Sequence, residues 1–220
     1  MTETEFKRLA AGGFNRVPLV LETFADLDTP LSIYLKLAAK PYSYLLESVQ
    51  GGERFGRYSF IGLPAQGRIV VRGHKVLVIH GESVAEEADT PDPLEFVGKY
   101  LGRYRAAPLA GLPRFAGGLV GCFGYDTVRY IEPRLDTGRT ARAEKPDPIG
   151  TPDIVLLQSE EIAIVDNLAG KLYLVVYADP RNPHAYAHGR ERLRQLLSAL
   201  REPVAIPPHG PVVAHQPQSG

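Results

Sequence analysis

The chain contains no tryptophan and a single cysteine, Cys122. One thiol cannot close an intrachain disulfide, which excludes a disulfide-stapled secreted scaffold and suits a reducing compartment; the cytoplasm is the expected location. Charge of neither sign is in excess. Twenty-five Lys and Arg balance 25 Asp and Glu, so no net field draws the chain to nucleic acid or to an anionic membrane. Long apolar runs are also missing. Stretches such as Leu172-Tyr173-Leu174-Val175-Val176-Tyr177-Ala178 fall far short of the roughly 20 residues that span a bilayer. Near the N-terminus, Lys7 and Arg8 precede only Leu9-Ala10-Ala11 before Gly12-Gly13, too little for the apolar region of a signal peptide. There is no G-x-S-x-G elbow, no H-E-x-x-H and no P-loop, and no internal repeat.

What remains is a 220-residue chain, 44% hydrophobic, long enough for one large domain or two small ones around a core of ordinary size. The pattern predicts a helix over Glu3 to Ala11 stopped by Gly12-Gly13, then a β run from Val17 to Phe24. A second helix starts where Thr29 can cap and Pro30 suits the first turn, with Leu31, Tyr34, Leu35 and Ala38 recurring on one face. Ser43 to Val49 reads as β. Gly67 to Val71 and Lys75 to His80 flank Arg72-Gly73-His74 as a hairpin. Asp92-Pro93 opens a helix to about Tyr104 with Leu94, Val97, Leu101 and Tyr104 on one side, and Asn182-Pro183 opens another ending near Leu200. Asp153 to Gln158, Glu161 to Val165 and Lys171 to Ala178 read as a meander with a turn at Asp166 to Gly170. Strands grouped through short turns, with helices between the groups, predict an α+β fold of mainly antiparallel β-sheets flanked by a few helices. Arg134 to Thr151 is loop-like, and the prolines after Glu202 read as a linker.

Three constellations invite a chemical reading. Gly117-Gly118-Leu119-Val120-Gly121-Cys122-Phe123-Gly124 lacks the G-x-G-x-x-G spacing of a phosphate cradle, so its glycines at 118, 121 and 124 read as close backbone approaches or bulges. His184 and His188 have i, i+4 spacing but no third ligand nearby, and Glu86-Glu87 and Glu160-Glu161 read as solvated carboxylates, not an acid/base pair. The third is the most informative: Leu45-Leu46-Glu47-Ser48, then Arg57-Tyr58-Ser59-Phe60-Ile61-Gly62. A carboxylate, hydroxyls and a guanidinium beside a β run could hold the ammonium and carboxylate of an amino acid. The plain alternative is that Glu47 and Arg57 are solvated strand-end charges, weakly paired. Strict alternation puts Leu46 and Ser48 on one face and Leu45 and Glu47 on the other. Joining Glu47 and Ser48 in one site takes a bulge, a terminal twist, or a backbone amide acting for one of them.

These two segments, with Asp26-Leu27-Asp28-Thr29-Pro30-Leu31-Ser32-Ile33-Tyr34-Leu35-Lys36-Leu37-Ala38 before them, resemble the N-terminal half of the anthranilate synthase large subunit, component I. Gly117 to Glu132, with Tyr125-Asp126 and Val128-Arg129-Tyr130, resembles that family's glycine-rich segment, and Asp153 to Asp179 resembles the hairpin that follows. Cys122 stands where relatives more often carry an aromatic. The resemblance implies the N-terminal part of the component I fold over residues 1–201 and a Pro-rich linker over 202–220 toward a chorismate-binding domain that this chain lacks. It implies an L-tryptophan feedback site containing Glu47 and Ser48, with Tyr58 and Ser59 lining it. It also implies a part in forming anthranilate from chorismate, the first step of tryptophan synthesis. Ammonia would come from a glutamine amidotransferase, component II, and Mg²⁺ would be bound outside this chain. The resemblance assigns no catalytic or metal-binding residue to this chain, which alone is expected to be inactive. Two alternatives stand beside this reading: the corresponding part of aminodeoxychorismate synthase component I, in folate precursor synthesis, and a free-standing amino-acid-binding regulator.

Overall fold

The structure, a computed structural model, describes residues 1–25, 27–47, 56–135 and 149–204. Among these, five helices and ten strands form two antiparallel five-stranded sheets, the α+β architecture that the pattern predicts. Local signals set the first elements. Helix α1, Glu3–Ala11, is capped by the Thr2 hydroxyl, which accepts from the Glu5 amide, and ends at Gly12. Strand β1 is Val17–Phe24. Helix α2, Pro30–Leu37, starts with a full capping box: Thr29 accepts from the Ser32 amide while the Ser32 hydroxyl accepts from the Thr29 amide, satisfying two amides that a helix N-terminus otherwise leaves open.

Strands β2, Tyr44–Glu47, and β3, Tyr58–Gly62, follow, then β4, Gly67–Arg72, β5, Lys75–His80, and β6, Ser83–Asp89. The β4–β5 connection is a two-residue turn with Gly73 at a φ of 59°, a conformation that glycine adopts without strain. Helix α3 is Pro93–Gly102, capped by Asp92. Strand β7, Gly118–Phe123, leads into a short helix α4, Val128–Ile131. Strands β8, Ile154–Ser159, β9, Glu161–Asp166, and β10, Lys171–Ala178, precede helix α5, Ala185–Leu200.

The first sheet has the order β1-β10-β9-β3-β2 and the second β6-β5-β4-β8-β7. The three strands predicted as one meander are therefore split: β8 belongs to the second sheet and the β9–β10 hairpin to the first, with the chain crossing between sheets at Glu160. Helices α2 and α5 cover one face of the first sheet, burying Ile33, Leu193 and Leu196 against Ile61, Leu174 and Val176. Its other face carries Ile162, Ile164 and Val175, with Phe60 edge-on to Phe115. Fully burying each such side chain contributes about 1.5–3 kcal/mol before entropy is counted. The second sheet packs Ile69, Val71, Ile154 and Leu156 with Tyr100 of α3.

Two further expectations are corrected, and one strand lies where none was predicted. Of the predicted α3 face, Leu94, Val97 and Tyr104 pack against the second-sheet core, but Leu101 is exposed and Tyr100 is the buried residue, its hydroxyl donating to Gln158 Oε1 at 2.8 Å. Helix α5 begins at Ala185 after His184, which provides no side-chain cap; the Asn182 side chain accepts from the His184 amide one turn earlier. Strand β6 was not expected at all. No helix among the described residues is long and apolar enough to cross a membrane.

Candidate functional site

β2 is an edge strand, and its register fixes which side chains meet. Tyr44 faces Gly62, Leu45 faces Ile61, Leu46 faces Phe60, and Glu47 faces Ser59. Ser59 in turn faces Val165 of β9, and Tyr58 faces Asp166. Directly opposed residues share a face, so Glu47 and Ser59 lie together on the helix-covered face of the first sheet. Tyr58 lies on the other face, packed with Phe60 at 6.2 Å between ring centroids. The four residues expected in one site are thus divided. Ser48 lies outside the described residues.

Tyr44 holds this edge in place. Gly62 leaves room for the Tyr44 ring, since a Cβ there would sit 1.9 Å from its Cε1. The Tyr44 hydroxyl shares a 2.7 Å hydrogen bond with Ser159 Oγ at the end of β8, and burial pushes its pKa up to about 12. This bond joins the edge of one sheet to a strand of the other.

Glu47 is exposed, and its side chain makes no hydrogen bond or ion pair among the described residues. Its carboxylate is open to a cation. Ser59 is fully buried, and its Oγ accepts from Asn167 Nδ2 at 3.2 Å. Arg57 does not pair with Glu47. Its guanidinium forks onto Asp166, with Nη2 to Oδ2 at 2.7 Å and Nε to both oxygens at 3.1 Å, and lies 4.9 Å from the Tyr58 ring centroid. Asp166 also accepts from the Leu168 and Ala169 amides. The arginine hydrogen bond first, then the turn amides, hold the Asp166 carboxyl below its ordinary value against the opposing effect of burial. Asn167 completes the clamp: its amide donates to Arg57 O at 2.7 Å and its side chain to Gly56 O at 3.1 Å. The β9–β10 turn thus fixes the start of β3 beside Glu47. Sequence reasoning treated Asp166 and Asn167 only as turn residues; Asp-Asn at a hairpin tip signals turn geometry, and nothing in it names a partner 109 residues away.

A concavity lies elsewhere. A cavity of about 230 Å³ lies between Tyr104, Tyr177, Gly117, Gly118 and the Arg16–Glu160 pair. Its polar walls are largely self-satisfied: Arg16 donates to Glu160 at 2.5 Å and to Asp179 at 3.0 Å, and Gln158 donates to Glu160 at 2.8 Å. Glu86 and Glu161 are likewise paired, with Arg103 and Arg192, where the sequence predicts solvated carboxylates. His184 and His188 have ring centroids 5.8 Å apart. No group of three or more His, Cys, Asp or Glu among the described residues is placed to hold a metal ion.

No protein-family model matches the chain. It is 53% identical over 204 residues to anthranilate synthase component 1 of Pseudomonas putida, a match covering 93% of this chain and 40% of that protein. To the Neisseria meningitidis serogroup C protein of the same name it is 51% identical over 207 residues, covering 94% and 42%. The Aquifex aeolicus protein is 36% identical over 198 residues, covering 89% and 38%. The chain thus spans about 40% of the length of the curated relatives it matches. Among solved structures, anthranilate synthase component I from Streptococcus pneumoniae TIGR4 superposes with a TM-score of 0.51 at 23% identity, covering 83% of this chain and 37% of that one. At that identity the likeness establishes a common fold.

Proposed function

We propose, from a match to the N-terminal region of anthranilate synthase component 1 that runs nearly the whole length of this chain, that the protein is the regulatory part of such a subunit. Its own contribution is to bind L-tryptophan at the β2–β3 edge and to scaffold the remainder. One observation carries the reading: at an exposed strand end Glu47 presents a carboxylate with no partner among the described residues, opposite Ser59, whose hydroxyl Asn167 holds. A carboxylate in that setting suits an ammonium group. Ser48, next in sequence, would add a hydroxyl or amide, whereas the aromatic cluster of Tyr58 and Phe60 lies on the opposite face of the sheet.

In this reading, chorismate and Mg²⁺ are bound by the chorismate-binding part that longer relatives carry, residues 202–220 lead toward it, and an amidotransferase supplies ammonia. The described residues do not fit a Mg²⁺ site, so no step is assigned to them through the ion. Cytoplasmic location follows from the biosynthetic role. The names of the matched relatives support this assignment over aminodeoxychorismate synthase.

Because the chain has no tryptophan, selective excitation of added L-tryptophan reports only on the ligand. Its emission is expected to shift to the blue on titration with the protein. L-phenylalanine should compete at least roughly tenfold less well, a difference of about 1.4 kcal/mol. Glu47→Ala should weaken tryptophan binding by roughly tenfold or more, the loss of one charge-assisted hydrogen bond. Equal competition by phenylalanine, or unchanged affinity in the variant, would count against the assignment.

A further inference from the structure

The four edge strands are not protected alike. Natural sheets blunt their edges with charge, proline or short length, because an open row of N–H and C=O groups recruits another strand. β1 carries Pro18 and Glu22, the short β2 carries Glu47, and β6 carries Glu86, Glu87 and Asp89. β7 reads Gly118-Leu119-Val120-Gly121-Cys122-Phe123, without a charge or a proline. One side of it pairs with β8 from Gly118 opposite Ser159 to Phe123 opposite Ile154, and among the described residues no strand lies on the other side. Apolar surface continues beyond it: Phe123 is 53% exposed, Tyr125 93% and Ile131 69%.

We infer that the free edge of β7, together with Phe123, Tyr125 and Ile131, is a docking surface for a β-strand with an apolar face, supplied by the part of a longer polypeptide that this chain does not span. The inference rests on reading the chain as part of a component 1 protein. The chain covers about 40% of relatives that it matches at about half identity, and the remaining length of those proteins has to pack somewhere. An uncharged edge running into an exposed aromatic surface offers both main-chain pairing and side-chain burial, as strand addition requires. A second copy pairing edge to edge would cover β7 but has no reason to extend over Ile131.

Cys122 is the reporter. It is the only cysteine of the chain and is exposed on β7. Maleimide labelling, mapped to the peptide containing Cys122, is compared in the 220-residue chain and in the same chain continued into the unmatched part of the Pseudomonas putida relative. In the chain alone labelling should be fast. In the continued protein it should slow by roughly tenfold or more as the thiol is covered. Should the continued chain be insoluble, the two parts are co-produced and co-purified. Copurification should then be lost in a Cys122→Lys, Phe123→Lys double variant whose melting temperature in the chain alone is unchanged. Equal labelling in both forms, or copurification indifferent to the double substitution, overturns the inference. So does protection that already appears in the shorter chain and rises with its concentration, since a second copy would then hold the edge. Tryptophan binding is read separately: protection at Cys122 without it would sink the sensor reading and leave the docking surface standing.

Discussion

Asp166→Ala is expected to destabilise the protein by about 2–4 kcal/mol, the loss of charge-assisted hydrogen bonds from Arg57 and from two turn amides at about 1.5–3 kcal/mol each, offset in part by water reaching the exposed turn. For a domain near this size that corresponds to a melting temperature lower by roughly 5–12 °C. The Asp166 side chain is almost completely buried and accepts from the Leu168 and Ala169 amides and from Arg57. Asp166→Asn keeps one acceptor for the turn and should lose about half as much. The acid limb gives a second readout. The Asp166 pKa is depressed from 3.8, so its contribution is complete above the ordinary carboxylate value and disappears as pH falls below it, toward the depressed native value. Thermal melts of the wild type should therefore fall across that acid range, and those of Asp166→Ala should fall less steeply. Parallel acid limbs would mean that other carboxylates carry the dependence.

Gly121→Ala is expected to cost about 3 kcal/mol or more, at the upper end of overpacking penalties. A Cβ at this position would lie 1.8 Å from the Val155 carbonyl oxygen and 2.8 Å from its carbon. These are backbone atoms of the paired strand and cannot turn aside as a flexible side chain would. The methyl group must therefore push β7 away from β8, breaking the pairing around Gly121 and Leu156. Gly98→Ala is the control: Gly98 lies inside α3, and a methyl group added there would meet nothing within 4 Å, so alanine should gain about 0.5–1 kcal/mol. Urea unfolding midpoints at equal slope decide the comparison. A Gly121→Ala midpoint within error of wild type would show that β7 is not held against β8.

The elements that the sequence made legible are those whose boundaries are written locally. Gly12-Gly13 ends α1, and Thr29-Pro30-Leu31-Ser32 spells out the capping box that opens α2. Gly73-His74 has the length and the left-handed residue of a tight hairpin. What stayed hidden depends on distant partners. β6 contains Glu86, Glu87 and two alanines, poor strand formers; it is a strand because β5 pairs with it and because Arg103 and Lys75 neutralise its glutamates. The passage from β8 to β9 was invisible because both strands are buried on both faces, so neither carries an alternation that says which sheet it joins.

The candidate site was legible in the same uneven way. Alternation correctly separated Glu47 from Leu46, and the glycine at 121 was rightly read as a close approach, while Gly118 faces open space. Arg57, read as a donor to a ligand or, in the plain alternative, as a weak partner of Glu47, is committed in space to Asp166, which nothing nearby in sequence announces. With Arg57 committed to Asp166, the Glu47 carboxylate has no partner among the described residues.

L-tryptophan should bind at the β2–β3 edge. Amide hydrogen exchange of the 220-residue chain with and without L-tryptophan tests it most directly. The account predicts that exchange slows in the peptides containing Tyr44 to Glu47 and Tyr58 to Ser59, and that Glu47→Ala abolishes the slowing. Slowing confined to Gly117–Gly118 and Ser159, beside the 230 Å³ cavity, would place the ligand elsewhere and contradict it, as would no slowing at saturating tryptophan.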